Sequence, residues 1–127
     1  QAYWLPKLAS GKTLAAFALS EPQIGSDPNG AETIASPIDE GSYLLNGQKK
    51  WISGGQLADV FLVFAKCEGR LTAFLLDRNT PNFTIKPIQG MYGFRSAMLA
   101  ELNFVAKIQR LSSIKSTTTT TTTTTCR

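Results

Sequence analysis

The sequence contains no histidine and only two cysteines in 127 residues, and both shortages narrow the chemistry it can perform. Without imidazole there is no Ser-His-Asp or Cys-His triad, and no zinc or iron site built on histidine. Cys67 and Cys126 form no CxxC pair, so thiolate metal sites and dithiol redox chemistry are also unsupported. We therefore expect no metal site, and any demanding chemical step must come from a cofactor or from residues outside this chain.

Long apolar runs and clusters of basic residues are missing as well. No run approaches the roughly 18 residues of a membrane span, and the first residues lack the pattern of a signal peptide. The net charge is +4 and Lys49-Lys50 is the one adjacent basic pair, so a nucleic-acid partner is not expected. These features predict no membrane span and a cytoplasmic protein, or one of the mitochondrial matrix if it is eukaryotic.

Short apolar runs, separated by turn residues about every ten positions, extend from Thr13 to Val105 and predict an all-β fold, an antiparallel barrel or sandwich. Asn46-Gly47 predicts a type I′ hairpin, and residues 66–70 predict a second one. The run at 60–65 is apolar on both faces, so its outer face is expected to dock against a neighbouring domain. The predicted strands are Thr13 to Leu19, Glu32 to Ala35, Ser42 to Leu45, Gln48 to Ile52, Val60 to Ala65, Leu71 to Leu76, Phe83 to Ile88 and Ala100 to Val105.

The pattern divides the chain into three parts. Residues 1–12 are predicted to be a helix end with its connecting loop, and residues 13–107 the β-barrel. Residues 108–127, which include nine consecutive threonines, are too poor in apolar groups to repay the entropy of ordering, and we expect a disordered tail. Because the chain starts without Met, we expect it to be a segment of a longer protein.

Two polar segments are candidate sites, and composition alone leaves two interpretations of each. The loop from Ser20 to Gly30 has ordinary turn chemistry, but its hydroxyls and backbone N–H groups could also converge on ligand oxygens. In the segment from Lys49 to Gly55, Trp51 is as consistent with edge packing as with a platform for a flat heteroaromatic ring. Ser53 lies two positions further on, so both side chains would face the same way on a strand.

Four segments carry a family resemblance: YWLPKLASG, FALSEPQIGSD, YLLNGQKKWISGGQLADVFLVFAK and GFRSAMLAELNF. In this order, over residues 1–107, they resemble the middle domain of the acyl-CoA dehydrogenase family, flavoenzymes that desaturate acyl thioesters. The resemblance implies the β-barrel fold of that domain, with residues 1–12 ending the preceding helical domain. It also implies FAD as cofactor.

The resemblance further implies which positions meet the ligands. The implied cofactor-binding residues are Phe17, Leu19, Ser20, Trp51, Ile52 and Ser53. The Ser20 hydroxyl would bond the pyrimidine side of the flavin and Ser53 would bond near N5, both being positions where threonine is more frequent. Ser26 matches a serine that meets the CoA part of the substrate. Arg95 has two alternatives, a ligand phosphate or an ion pair with Glu101.

The implied function is α,β-desaturation of an acyl thioester, an oxidoreductase step of fatty acid metabolism in which a carboxylate removes a proton and FAD accepts hydride. The family's catalytic glutamate belongs to the C-terminal helical domain, so no catalytic residue is assigned here. The implied partners are acyl-CoA or an acyl carrier protein thioester, an electron-transfer flavoprotein, and further copies of the full-length protein in a homo-oligomer. This chain alone is expected to bind FAD weakly or not at all, without turnover. The alternative is a non-catalytic β-barrel, without flavin, that binds a partner protein.

Overall fold

The computed structural model describes residues 3–109, most of which belong to one curled sheet. Within that range the sheet has seven strands and forms a half-barrel, preceded by the short helix α1 (Trp4–Ala9). The predicted all-β class is therefore confirmed. The strands are β1 (Ala15–Ala18), β2 (Ile34–Asp39), β3 (Ser42–Ile52), β4 (Val60–Cys67), β5 (Arg70–Asp77), β6 (Phe83–Pro87) and β7 (Ala100–Gln109).

The strand order is β1-β4-β2-β3-β7-β6. β1 and β2 follow one another along one edge of β4, and β5 pairs with β4 along the opposite edge. Most neighbours are antiparallel, as predicted, but β1 runs parallel to β4, with Ala15 opposite Val60. The start of β2 also meets β4 in parallel, at the pair Ile34 and Lys66. Residues 19–33 connect β1 to β2, two strands that do not pair with each other but both run parallel to β4. This connection contains the first candidate site.

The hairpin predicted at Asn46-Gly47 is wrong. The two strands predicted on either side of it are one continuous strand, β3, in which Asn46 pairs with both Ile34 and Val105. Asn-Gly favours a turn locally, but Gly47 serves another purpose here. A Cβ at this position would lie 2.5 Å from Thr33 Oγ1 and 2.7 Å from Thr33 Cγ2, so glycine lets the Thr33 side chain pack directly on the strand.

The hairpin turns lie elsewhere. β2 and β3 are joined by Glu40-Gly41, where Gly41 has φ +82°. β4 and β5 are joined by Glu68-Gly69, with φ of +49° and +77°, which is the geometry of a type I′ turn. The second predicted hairpin is thus confirmed, with a tighter turn than the five residues assigned to it.

The core lies on the concave face of the sheet. β4 shows the alternation that produces it: Phe61, Val63 and Ala65 are buried, while Leu62 and Phe64 face outward and are partly exposed. Inside, aromatic rings form a chain across the half-barrel from β4 through β6 to β7. The ring centroids of Phe61 and Phe83 are 5.1 Å apart, and those of Phe83 and Phe104 are 6.2 Å apart. The contact between Phe61 and Phe83 joins β4 to β6, which are not hydrogen-bonded neighbours, whereas Phe83 and Phe104 lie opposite each other on the paired strands β6 and β7.

Gly47→Ala is expected to lower the free energy of unfolding by about 1–3 kcal/mol, because the added methyl group would overlap Thr33. Urea denaturation followed by far-ultraviolet CD measures the change. Gly25→Ala is the matched control, since a Cβ there has no atom within 4 Å. Adding Thr33→Ala to Gly47→Ala should restore part of the loss; a Gly47→Ala variant as stable as the control would contradict the close packing.

The first and last elements of the structure can be compared with the predicted boundaries of the chain's three parts. α1 lies in the part of the chain predicted to be a helix end. β7 continues four residues past the predicted end of its strand at Val105, to Gln109. The rest of the predicted tail, residues 110–127, lies outside the described residues.

Candidate functional site

The two candidate segments meet in the structure. The Lys50 backbone N–H donates to the Ser20 carbonyl oxygen at 3.0 Å, which joins the end of β3 to the loop after β1. Directly beside this bond, Lys49 Nζ donates to the Leu19 carbonyl oxygen, also at 3.0 Å. The fold therefore brings together the two segments singled out in the sequence, although 30 positions separate Leu19 from Lys49.

A β-bulge near the end of β3 turns the side chain of Trp51 toward solvent. Lys49 is opposite Leu102 and Ile52 is opposite Ala100, so Lys50 and Trp51 share a single partner position on β7. Trp51 has φ +64°, a backbone conformation that is uncommon for a bulky residue. Without the extra residue, strand alternation would put Trp51 on the same face as buried Lys49. With it, Trp51 is 52% exposed and Ile52 returns to the core.

Ser53 does not lie on the strand. β3 ends at Ile52, so the expectation that Trp51 and Ser53 face the same way because of strand alternation is wrong. Ser53 is exposed in the turn that follows. That turn is held in place by the segment before β7, because the Gly54 N–H donates to the Ala97 carbonyl oxygen at 2.8 Å. Ser53 thus lies two residues from the tryptophan on a supported turn.

The remaining predicted positions differ in exposure. Phe17, on β1, is 58% exposed and packs against Phe64 on the outer face, with ring centroids 4.9 Å apart. Ser20 is partly buried and Ser26 is exposed. Ile52 is only 2% exposed, so its side chain belongs to the core and only its backbone is available to a ligand at this edge.

A buried ion pair supports the site from inside. Lys49 is completely buried, and its Nζ lies 2.8 Å from Glu21 Oε1. The Glu21 carboxylate also accepts the backbone N–H groups of Glu32, at 2.6 Å, and Thr33, at 3.1 Å. The pair therefore links the loop after β1 to β3 and to the residues before β2.

The protonation of this pair follows from its surroundings. Burial alone would raise the pKa of Glu21, but the hydrogen bonds from Lys49 and from the backbone N–H groups of Glu32 and Thr33 outweigh it and hold the pKa below its ordinary value. Burial lowers the pKa of Lys49, and the bond to Glu21 offsets part of that shift. The carboxylate is thus stabilised in its charged form.

The lowered pKa of Glu21 predicts how stability depends on pH. Its contribution is complete above the carboxyl's unfolded value of 4.5 and is lost as the pH falls through the lower folded value. Glu21→Gln should therefore flatten the decline of unfolding free energy below that pH, as measured by urea denaturation at several pH values. Glu40→Gln, at an exposed turn, is the matched control. An unchanged decline in Glu21→Gln would contradict the charged pair.

Arg95 does not form the predicted ion pair with Glu101. Its Nε donates to the Met91 carbonyl oxygen at 2.9 Å, and the residue is exposed. Glu101 instead accepts Gln48 Nε2 at 2.6 Å and lies 4.0 Å from Lys50 Nζ. Lys50, one of the two residues of the bulge, is thus an ionic partner of this carboxylate.

Within residues 3–109, no three Cys, Asp or Glu side chains are grouped so as to hold a metal ion. Nor does the same stretch contain a helix long and apolar enough to cross a membrane.

Comparison with known proteins decides the family. The family model described as acyl-CoA dehydrogenase, middle domain, matches residues 16–106. The chain belongs to the acyl-CoA dehydrogenase family. The match begins in β1 and ends in β7, so it includes the sheet, the bulge and both candidate segments.

The relatives are longer than this chain. Very long-chain specific acyl-CoA dehydrogenase, mitochondrial, of Macaca fascicularis is 44% identical over 112 residues, 80% of this chain and 17% of that protein. The short-chain specific acyl-CoA dehydrogenase of Megasphaera elsdenii is 41% identical over 106 residues, 80% of this chain and 28% of that protein. A glutaryl-CoA dehydrogenase from Mycobacterium smegmatis in complex with FADH2 superposes with a TM-score of 0.80 and 37% identity, over 85% of this chain and 28% of that one. This chain thus spans less than a third of the length of each of these relatives.

Lys49 and Glu21 are the members of the site that sequence reasoning missed in this acyl-CoA dehydrogenase domain. A usable signal was present, because Tyr43, Leu45 and Lys49 fall on one face of a continuous strand and all three are buried. The turn predicted at Asn46-Gly47 interrupted that periodicity. Lys49 was consequently not placed in the core.

Proposed function

We propose that this chain is the flavin- and acyl-CoA-facing β-domain of an acyl-CoA dehydrogenase-type oxidoreductase. One observation carries the proposal: the bulge in β3 holds the aromatic ring of Trp51 exposed at one edge of the sheet. The loop that begins at Ser20 and the turn that contains Ser53 meet β3 at the same edge. An aromatic residue held outward in an uncommon backbone conformation is typical of a binding site, since packing alone does not require it. Membership of a flavoenzyme family supports the same assignment.

The residues at this edge suit FAD. The isoalloxazine ring is flat and apolar on its faces and carries hydrogen-bonding atoms along one edge. Trp51 offers a ring face, and the Ser20 and Ser53 hydroxyls offer donors and acceptors. Phe17 and Leu19 lie on the same segment as Ser20, and Ile52 contributes backbone only. When bound, FAD would supply the acceptor for the hydride removed from the substrate.

The chain's own residues position ligands and perform no proton transfer. Ser26, exposed in the loop after β1, is proposed to meet the CoA part of an acyl-CoA or the equivalent part of an acyl carrier protein thioester. Glu21 is unsuited as a catalytic base, because it is buried and bonded to Lys49, Glu32 and Thr33. The base is therefore proposed to lie outside this chain. We accordingly propose desaturation as the activity of the full-length protein and not of this chain.

The larger setting is part of the same proposal. Residues 1–12 would end a preceding helical domain and residues 13–107 would form the barrel. The full-length protein would be a homo-oligomer that passes electrons to an electron-transfer flavoprotein. It would act in the cytoplasm, or in the mitochondrial matrix of a eukaryote.

Flavin binding is testable on the chain itself through the fluorescence of Trp51. In a Trp4→Phe background, Trp51 is the one tryptophan left. Because its ring is exposed at the proposed site, we propose weak binding in preference to none: titration with FAD should quench the Trp51 fluorescence with a dissociation constant near millimolar, since only one wall of the site is present. Ser53→Ala should weaken binding by about threefold to tenfold through loss of a hydrogen bond. Thr72→Ala, at a position on β5 remote in sequence from both segments, is the control.

Two results would contradict the proposal: no saturable quenching at millimolar FAD, or equal weakening by Ser53→Ala and Thr72→Ala. Acyl-CoA oxidation by the chain alone, followed with ferrocenium as electron acceptor, is expected to be absent. Measurable turnover would show that a catalytic base lies within the chain.

A second candidate is a flavin-free β-barrel that binds a partner protein. The outer apolar face, defined as Phe17, Leu62, Phe64 and Leu75, favours it, since Phe17 remains largely exposed there. Saturable FAD quenching in a monomeric chain favours the flavin domain. Self-association or protein binding that Phe17→Ser abolishes, without FAD quenching, favours this second candidate.

A further inference from the structure

We propose that Lys49 is a positioning residue of the flavin site. Its buried ammonium fixes the position of the loop that begins at Ser20 (the Ser20 loop) relative to the bulge at Lys50 and Trp51 (the Trp51 bulge). This inference rests on the proposed function for its ligand. The contacts that support it are hydrogen bonds within the chain and involve no ligand. Lys49 is completely buried, so it acts through its neighbours and not by touching the ligand.

The ammonium of Lys49 joins two strands that have no backbone pairing with each other. From β3 it reaches the loop that leaves β1, where it donates to the Leu19 carbonyl oxygen at 3.0 Å and to Glu21 Oε1 at 2.8 Å. These acceptors lie on either side of Ser20. The Ser20 carbonyl oxygen then accepts the Lys50 N–H at 3.0 Å, so three successive loop residues are bonded to two successive strand residues.

The carboxylate partner extends the hold to the far end of the loop. Glu21 accepts the N–H groups of Glu32 and Thr33, which lead into β2. The connection between β1 and β2 is thus closed at both ends through one carboxylate. A neutral apolar side chain in place of Lys49 would leave the Leu19 carbonyl and this carboxylate without their shared donor in a buried place.

Lys49 also lies immediately before the bulge. The register with β7 is regular up to Lys49 and shifts at Lys50 and Trp51, and Trp51 has a positive φ. A conformation of this kind persists where its surroundings determine it strongly. The Lys49 side chain and the Lys50 N–H are both hydrogen-bonded to the loop after β1. These bonds hold the backbone in place directly before Trp51.

The experiment uses the chain with Trp4→Phe, so that the near-ultraviolet CD band and the fluorescence of tryptophan report on Trp51 alone. The test variant is Lys49→Met combined with Glu21→Gln, which removes the charges but keeps an acceptor for the Glu32 and Thr33 N–H groups. Lys49→Arg is the conservative variant, because it retains a buried cation. Phe74→Leu is the control for general loss of core packing, since Phe74 packs on Tyr43, near the opposite end of β3.

In the test variant the Trp51 CD band should fall by about half or more while the far-ultraviolet spectrum is kept. The dissociation constant for FAD should rise by about tenfold. Lys49→Arg should recover most of both signals, and Phe74→Leu should leave both unchanged. If the test variant does not fold, Lys49→Gln, which keeps one donor for the Leu19 carbonyl, is judged by the same signals.

An unaltered Trp51 band in the folded test variant would overturn the inference, as would an equal change in Phe74→Leu. If the chain with Trp4→Phe alone shows no FAD binding, the proposed function fails. The Trp51 band still decides whether Lys49 holds the bulge, so the two failures are distinguishable.

Discussion

Lys49→Met alone is expected to lower the free energy of unfolding by about 3–5 kcal/mol, a large fraction of the total stability of a domain this size. The substitution keeps the length and apolar stem of the side chain, so little packing is lost. It leaves the Glu21 carboxylate, which is only 3% exposed, without its cation and the Leu19 carbonyl without its donor. The loss comes from those uncompensated groups.

Urea denaturation of single and double variants at low temperature measures this effect. Glu21→Gln combined with Lys49→Met should cost clearly less than the sum of the two single variants, because the charge left unpaired in each single variant is absent. Lys50→Met is the matched control on the adjacent residue. Lys50 Nζ lies 4.0 Å from Glu101 and its side chain is one-third exposed, so we expect a loss within about 1 kcal/mol. Equal losses for Lys49→Met and Lys50→Met would contradict the buried pair.

Phe61→Ala is expected to cost about 3–5 kcal/mol through loss of buried area and the cavity left behind. Phe61 is fully buried on β4 and packs edge-on against Phe83 of β6, a strand to which β4 is not hydrogen-bonded. Removal of the ring therefore weakens the contact that closes the half-barrel. Thermal or urea denaturation measures the loss, and near-ultraviolet CD reports the packing of the remaining aromatic residues.

Phe64→Ala is the control for Phe61→Ala, three residues further along the same strand but on the outer face. Phe64 is partly exposed and packs on exposed Phe17, so the expected loss is about 1 kcal/mol. Similar losses for the two alanine variants would mean that β4 is buried equally on both faces in this chain. That result would contradict the assignment of the concave face as the core.

The fold class and most strands could be predicted from the sequence because alternation and turn residues act locally. In the run from Val60 to Ala65, Phe61, Val63 and Ala65 form part of the core, while Leu62 and Phe64 remain partly exposed. The parallel pairing of β1 with β4 could not be predicted, because a pairing across 45 positions has no local signal.

The error at Asn46-Gly47 has a specific physical cause. The dipeptide favours a turn, but the glycine is needed where Thr33 packs onto the strand. Tertiary packing overrode the local preference, and the turn itself formed at Glu40-Gly41. The mistaken turn also interrupted the periodicity that would have placed Lys49 inside.

The candidate site was predicted in part. Ser20 and Trp51 were singled out from polar and aromatic chemistry, and the structure brings their segments together. The positive φ of Trp51 depends on a register shift against β7, which one strand's sequence does not encode by itself. The roles proposed for Ser26 and Ser53 rest on the family resemblance, because composition alone left them open.

The measurement that tests the central claim most directly is an NMR titration of the isotopically labelled chain with FAD, extended to millimolar concentration. If the edge formed by the Ser20 loop, the Trp51 bulge and the Ser53 turn is the flavin-facing wall, the shifted amide signals will cluster at residues 17–26 and 50–54, with the Trp51 indole signal among them. Shifts centred elsewhere on the sheet, or none at millimolar FAD, would contradict it.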